Sequence, residues 1–396
     1  MKPLRVQIFA FTLTRIVLNT TQRMVYPYLA DFGRGLGVDL AQLSQAVAAR
    51  AFLGAGGPFL ASVADSHGRK IGMLLGLLIF VAGACLVLGW PIYPVFVLTL
   101  ALTLLGKYVF DPSMQAFVGE RIPYQRRGQI LAITEFGWSL SFIVGVPLMG
   151  ILIARYGWSG PYPAVALLGL LCLVSLAWLL PKDPVTAPDR PGMWRNFRNV
   201  LTFMPALSGL TLGIMMSTAN EIVNLVFGVW LEDSFGLKIV ALGIASAVIG
   251  FSELGGEGLT AVLVDRLGKP RAVGIGLIAN SLAAMALPIL GRSLPGAFVG
   301  LLCFYLTFEF TIVSSIPMMT EVVPSARATL MATNGAAHSL GRALGALLAA
   351  PLYSVGFWGS CLAAAVFNLL GVVALLKLRQ GMGGRGGELG VKGKEL

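Results

Sequence analysis

The stretch Ala61-Ser62-Val63-Ala64-Asp65-Ser66-His67-Gly68-Arg69-Lys70 has a counterpart far downstream, Ala261-Val262-Leu263-Val264-Asp265-Arg266-Leu267-Gly268-Lys269-Pro270-Arg271. Each copy is an apolar run closed by an Asp, with a Gly three residues on and bases after it. A second pair of segments has nearly the same separation: Glu120-Arg121-Ile122-Pro123-Tyr124-Gln125-Arg126 and Glu321-Val322-Val323-Pro324-Ser325-Ala326-Arg327. In both, Pro follows Glu by three positions and Arg follows Pro by three. One Asp-x-x-Gly arises easily by chance, whereas two paired motifs at nearly one offset point to a structural unit used twice.

The apolar runs before the aspartates belong to a wider pattern. Hydrophobic residues make up 56% of the chain and charged residues 12%, with a mean hydropathy of +0.81, against about 25% charged in soluble proteins. Runs of roughly 20 apolar residues, enough for a helix to cross a hydrocarbon core, recur along nearly the whole length. They are continuous rather than alternating, so helices and not a barrel satisfy the backbone in lipid. The predicted spans are 6–29, 41–64, 71–89, 94–118, 129–154 and 161–180, then 204–231, 239–264, 272–290, 296–320, 328–353 and 357–376. The expected fold is an all-α membrane protein of twelve transmembrane helices, in two six-helix bundles (1–180 and 204–376) related by pseudo-twofold symmetry. A charged, proline-containing cytoplasmic linker at 181–203 joins them, and the glycine-rich tail 377–396 reads as disordered.

The net charge of +11 would suit nucleic acid, but its distribution excludes that partner. Most bases fall in short loops on one side, with only Arg34, Arg155, Lys238 and Arg292 in predicted outer loops. The positive-inside rule then puts both termini in the cytoplasm. Four cysteines (Cys85, Cys172, Cys303, Cys361) sit inside apolar spans without metal or redox spacing and read as core filling. The amino terminus resembles a signal peptide, yet its apolar segment is long and lacks a cleavage pattern, so it is kept as the first span.

Charges inside spans are costly and mark a polar interior. Here they are Arg15, Arg23, Arg50, Lys107 and Arg342 against Asp111, Glu135, Glu221, Glu253, Glu257 and Glu309, with none in spans 3, 6, 9 or 12. Those four spans are expected to face lipid. The polar residues form one-sided stripes at helical spacing: Arg15, Asn19, Gln22, Arg23 and Tyr26 on span 1, Thr103, Lys107 and Asp111 on span 4, Ser217, Glu221, Asn224 and Gly228 on span 7, and Asn334, His338, Arg342 and Gly345 on span 11. Lys107 and Asp111, at i and i+4, are positioned to neutralise each other. Candidate proton carriers are Asp111, Glu221, Glu309 and Glu135, because desolvation moves a carboxyl toward a range where it can exchange protons. Candidate cavity residues are Arg15, Asn19, Arg23, Tyr26, Arg50, Lys107, Asn220, Asn224, His338 and Arg342.

With these residues in view, the chain resembles the major facilitator superfamily of secondary transporters. That family's loop signature, Gly-x-Leu-Ala-Asp-x-x-Gly-Arg-Lys, is matched at Asp65, Gly68, Arg69 and Lys70, with Ala61 and Val63 replacing its Gly and Leu. Asp265, Gly268, Lys269 and Arg271 form the weaker second copy. The resemblance implies that these eight residues latch the two halves on the cytoplasmic side. It also implies that spans 1, 4, 7 and 10 line a central cavity, flanked by 2, 5, 8 and 11, with 3, 6, 9 and 12 outside. Gly145-Val146-Pro147-Leu148-Met149-Gly150 is similar to part of the fifth-helix signature of drug/proton antiporters, and Lys107 corresponds loosely to the base of their fourth helix.

The function expected is alternating-access transport of a small organic solute, a proton-coupled efflux driven by the proton gradient and needing no cofactor or metal. No phosphate-binding Gly-x-x-x-x-Gly-Lys-Ser/Thr loop is present to use a nucleotide. One alternative is proton-coupled uptake of an anionic solute by Arg15, Arg23 and Arg50; another is a lipid-handling or non-transporting membrane subunit. No nucleophile–base set or metal-ligand spacing points to an enzyme. The expected setting is a monomer in the lipid bilayer of a cell membrane, a bacterial inner membrane.

Overall fold

The computed structural model describes residues 4–57, 68–121, 133–181, 193–323 and 327–392. Among them every regular element is a helix: α1 Leu4–Arg23, α2 Leu29–Leu36, α3 Leu40–Gly54, α4 Arg69–Gly89, α5 Tyr93–Arg121, α6 Ile133–Tyr156, α7 Pro161–Leu179, α8 Met193–Thr202, α9 Met204–Phe235, α10 Ile239–Leu267, α11 Lys269–Leu290, α12 Leu294–Val322, α13 Arg327–Ser354 and α14 Phe357–Lys392. Nine described helices, namely α4 to α7, α9 to α12 and α14, are long and apolar enough to cross a bilayer. The polar faces of α1 and α13 lower their hydropathy, and α3 comprises only 15 described residues.

Local chemistry explains where several elements begin and end. The predicted span 6–29 is not one helix: α1 stops at Arg23, the chain turns through 24–28, and α2 begins at Leu29. Pro27 has no amide to donate and disfavours helical backbone at the residue before it. A capping box opens α3, with Gln42 N donating to Asp39 Oδ1 at 2.8 Å and Asp39 N donating to Gln42 Oε1 at 3.1 Å. In the repeated loops Gly68 and Gly268 adopt φ of 92° and 80°, a region strained for residues with a Cβ. Asp65 of the loop signature lies outside the described residues.

Two segments differ from expectation. The predicted linker 181–203 contains the helix α8, which packs on α13 and buries Val200 completely. The tail expected to be disordered from 377 is helical through Lys392. Elongating an existing helix adds a hydrogen bond per residue without a new nucleation cost, which offsets the poor propensity of its glycines.

By contacts the chain divides into two compact units, Met1–Asp189 with Asn224–Phe251, and Arg190–Val223 with Ser252–Leu396. α9 and α10 therefore each contribute to both. In the first unit α4 lies against α5 and α7; in the second, α11 lies against α12 and α14. Gly76 and Gly106 let α4 and α5 meet backbone to backbone: a Cβ on Gly76 would lie 2.6 Å from the Gly106 carbonyl oxygen. The helices α4, α7, α11 and α14, expected to face lipid, carry exposed apolar rows such as Leu78, Leu171, Val174, Leu282 and Leu369. Cys172 and Cys361 are buried as core residues, whereas Cys85 is exposed on α4, so its core role is corrected.

Candidate functional site

In the first unit the polar stripe of α1 is buried and every member has a partner on a neighbouring element. Arg15, 5% exposed, grips Glu135 of α6 with both ends of its guanidinium: Nη1 donates to Oε1 at 2.6 Å and Nη2 to Oε2 at 2.9 Å. Its Nε lies 3.5 Å from Asp111 Oδ1 on α5. Lys107, one turn earlier on α5, donates to the other Asp111 oxygen. Two bases and two acids on three helices thus form one neutral network, and removing any member strands an opposite charge in a low-dielectric setting. The side chain of Glu135 is 46% exposed, against 15% for Asp111. Glu135 is thus the open member of the network and one of the two acids that hold Arg15.

Further along α1, Asn19 donates to Gly137 O at 3.1 Å and Arg23 to Trp138 O at 2.9 Å. The Arg23 guanidinium also stacks 3.5 Å from the Phe142 ring centroid and 4.2 Å from that of Trp138. Just beyond these carbonyls α6 contains a π turn, Ser141–Gly145, which interrupts the regular i+4 ladder. Gly145 and Gly150 continue the feature, for a Cβ on Gly145 would fall on Thr20 Oγ1 and one on Gly150 on the Tyr28 hydroxyl. Arg50 of α3 reaches the end of α1, donating to Gln22 O at 3.0 Å and to Tyr26 OH at 2.9 Å. Cations near the last carbonyls of a helix complement its dipole.

The repeated loop motifs make the same contact twice, each inside its own unit. Arg69 Nε donates to Glu120 Oε1 at 2.8 Å, and Lys269 Nζ donates to Glu321 Oε1. Lys70 Nζ donates to Ala177 O and Leu180 O, both at 2.6 Å, at the end of α7. Asp265 and Arg271 are exposed and take no part in these pairs.

In the second unit α9 and α13 meet through small residues. Thr218 Oγ1 donates to Gly341 O at 3.0 Å. His338 is held between Ser217, whose Oγ lies 2.7 Å from Nδ1, and Asn334, whose Nδ2 lies 3.2 Å from Nε2. Gly213 leaves room for them, since a Cβ there would lie 3.2 Å from Asn334 Oδ1. Arg342, partly exposed, lies one turn beyond His338 on α13. The candidate carboxyls Glu221 and Glu309 are 1% and 8% exposed; Glu221 packs on Gly345 of α13 and Glu309 on Gly256 of α10, so the two belong to different helix pairs. Asn220 also lies in this unit, while Asn224 belongs to the first.

A third charged group was unread in the sequence. Arg34 of α2 donates to Asp31 Oδ1 at 2.5 Å and to Glu232 Oε1 of α9 at 2.6 Å, beside a cleft of about 700 Å³ also lined by Asp233 and Lys238. Burial pushes the Asp31 carboxyl up, Arg34 pulls it back, and Glu232 adds to the rise, leaving it above its ordinary range. The i,i+3 spacing of Asp31 and Arg34 was a visible signal; Glu232 had none. Trp138 and Phe142, at i and i+4, were likewise visible as an aromatic pair but not as the seat of Arg23.

The geometry of two units built on repeated contacts agrees with what the chain resembles elsewhere. The model of the Major Facilitator Superfamily matches residues 11–308 and 209–388. The uncharacterized MFS-type transporter YwfA of Bacillus subtilis is 27% identical over 380 residues, covering 92% of this chain and 90% of its own. The multidrug resistance protein MdtH of Shigella flexneri is 29% identical over 198 residues, 47% of this chain and 48% of its own. A bacterial homologue of the human lysosomal transporter Spinster, solved inward-facing and unoccupied, superimposes with a TM-score of 0.79 at 15% identity, covering 96% of this chain and 98% of that one. Buried charges on apolar helices, twinned loops and a family match along most of the sequence lead to one statement: this chain belongs to the Major Facilitator Superfamily of membrane transporters.

Proposed function

We propose that the protein is a proton-coupled secondary transporter that exports a small organic solute by alternating access, with the proton gradient as its energy source and no cofactor. The observation that carries this reading is the Arg15–Glu135 pair: a buried guanidinium held by a half-exposed carboxylate. Protonation of Glu135 leaves Arg15 and Lys107 to share Asp111, which changes the force between α1 and α6. Solute binding and proton binding are then linked through one network. The likeness to MdtH, a protein named for multidrug resistance, supports the outward direction.

The same reading takes the chain as a monomer crossing a bacterial inner membrane twelve times, in two six-helix repeats with cytoplasmic termini. Its support is the nine long apolar helices together with α1, α3 and α13 at the remaining predicted spans, and the paired loop contacts of Arg69 with Glu120 and Lys269 with Glu321.

The test is solute-driven proton movement in energised everted vesicles, with amphipathic amines, neutral compounds and carboxylates as the panel. Vesicles with the wild-type protein should release protons when a transported compound is added, and those with Glu135→Gln or Asp111→Asn should lose most of that response. Wild-type proton release in Glu135→Gln would end the proposed coupling route.

A further inference from the structure

The bases embedded in the helices differ in what compensates them. Arg15 and Lys107 are neutralised by Glu135 and Asp111. Arg23 stacks on two aromatic rings and bonds the backbone of α6, and Arg50 serves the end of α1. Arg342 is different: it makes no hydrogen bond and no ion pair with any described residue, although it lies near the middle of α13. An uncompensated guanidinium at that depth is tolerated only where it meets water or an anion.

It does not point to lipid. Leu340, Leu344 and Leu347 supply the exposed apolar face of α13. At about 100° per residue, Leu340 and Leu344 lie roughly opposite Arg342. The face of Arg342 instead continues through His338 and Asn334, which with Ser217 form a polar cluster inside otherwise apolar helices. The two ring nitrogens of His338 have the neutral partners Ser217 and Asn334, with donor and acceptor roles set by the ring's tautomer. Among the described residues Arg342 is the fixed positive charge beside this patch, next to groups that can donate or accept by small rotations.

We infer that Arg342 anchors a carboxylate of the transported solute, with the Asn334–His338–Ser217 cluster beside it hydrogen-bonding the rest of the molecule. The flat fork of a guanidinium matches a carboxylate with two parallel N–H···O bonds. One positive charge suits a monoanion; phosphate, at nearly two negative charges, would be left undercompensated. The inference rests on the transporter reading, assigns its solute class, and moves anion recognition away from Arg15, which has a carboxylate of its own.

Binding in detergent tests it without needing a gradient. Purified full-length protein is titrated with benzoate, salicylate and hexanoate, with the amides of the three acids, and with inorganic phosphate, following the melting temperature and then calorimetry. At least one carboxylate should stabilise the wild type while its amide does not. That stabilisation should vanish in Arg342→Gln, weaken about tenfold in affinity in Arg342→Lys because a point charge replaces a fork, and persist in the loop variant Arg292→Gln. If Arg342→Gln fails to purify as a single species, the lysine variant decides. The inference is overturned if no carboxylate stabilises the wild type, if amides or phosphate do as well as carboxylates, or if the Arg342 variants bind like the wild type. Carboxylate binding that depends on Arg342, in a protein whose solute-driven proton release survives Glu135→Gln, would sink the coupling route and leave this site standing.

Discussion

Arg15 and Arg342 are the same residue type on similarly polar helix faces, yet their surroundings give them different chemistry. Arg15 has a bidentate carboxylate and a second acid at 3.5 Å; Arg342 has neither among the described residues. Asp31 is a third case, a carboxyl whose environment sets its response to pH. Burial is the chief cause of its rise, Arg34 opposes it and Glu232 adds to it. Because its folded value exceeds the unfolded value of about 3.9, the stability it contributes is complete below that pH and is lost as pH climbs through the folded value. Asp31→Asn should therefore flatten the fall in melting temperature that the wild type undergoes as pH rises above about 4. Parallel melting profiles for the two proteins over that window would contradict the assignment.

Among the elements, α6 has the most unusual backbone. Its π turn is followed closely by Pro147, and donors from α1 serve the carbonyls just before it. The helix is packed so closely on α1 and the turn after it that neither Gly145, against Thr20, nor Gly150, against Tyr28, has room for a Cβ. Gly145→Ala should cost about 1–3 kcal/mol through overpacking against Thr20. Thr20→Ala in the same chain should recover part of the loss, because it removes the hydroxyl that the new methyl would strike. Equal melting temperatures for wild type and Gly145→Ala would mean that α1 and α6 are less tightly apposed than this.

At the scale of the whole molecule, two contact-defined units repeat a theme: a helix packed on its successor and on a later partner, with a base from the glycine turn on a glutamate at the end of the next helix. The motif echo in the sequence was legible because both copies sit in loops where few residue types meet the need. Gly68 and Gly268 satisfy it with positive φ. Cytoplasmic termini are a prediction at this scale. Cysteine substitutions at Lys2 and Lys377, in a background with the four native cysteines replaced, should react with membrane-impermeant maleimide only after the cells are opened, whereas Arg292→Cys should react in intact cells. The reverse pattern would invert the proposed topology.

Composition, apolar run length and the twinned loop motifs were by themselves enough to determine a helical membrane protein and the family it resembles, because the cost of exposing backbone and charge to lipid leaves few solutions. They also marked the polar stripes, since a helix repeats every 3.6 residues whatever it packs against. Which charges neutralise one another was decided only by tertiary structure. Arg15 and Glu135 are separated by 120 positions, and Arg34 and Glu232 by 198; Coulomb attraction depends on ångströms between side chains, not on spacing along the chain. The π turn of α6, the early end of α1 at Arg23 and the guanidinium of Arg342, without an ion pair among the described residues, follow from the same cause, for each depends on which neighbour fills the adjoining space.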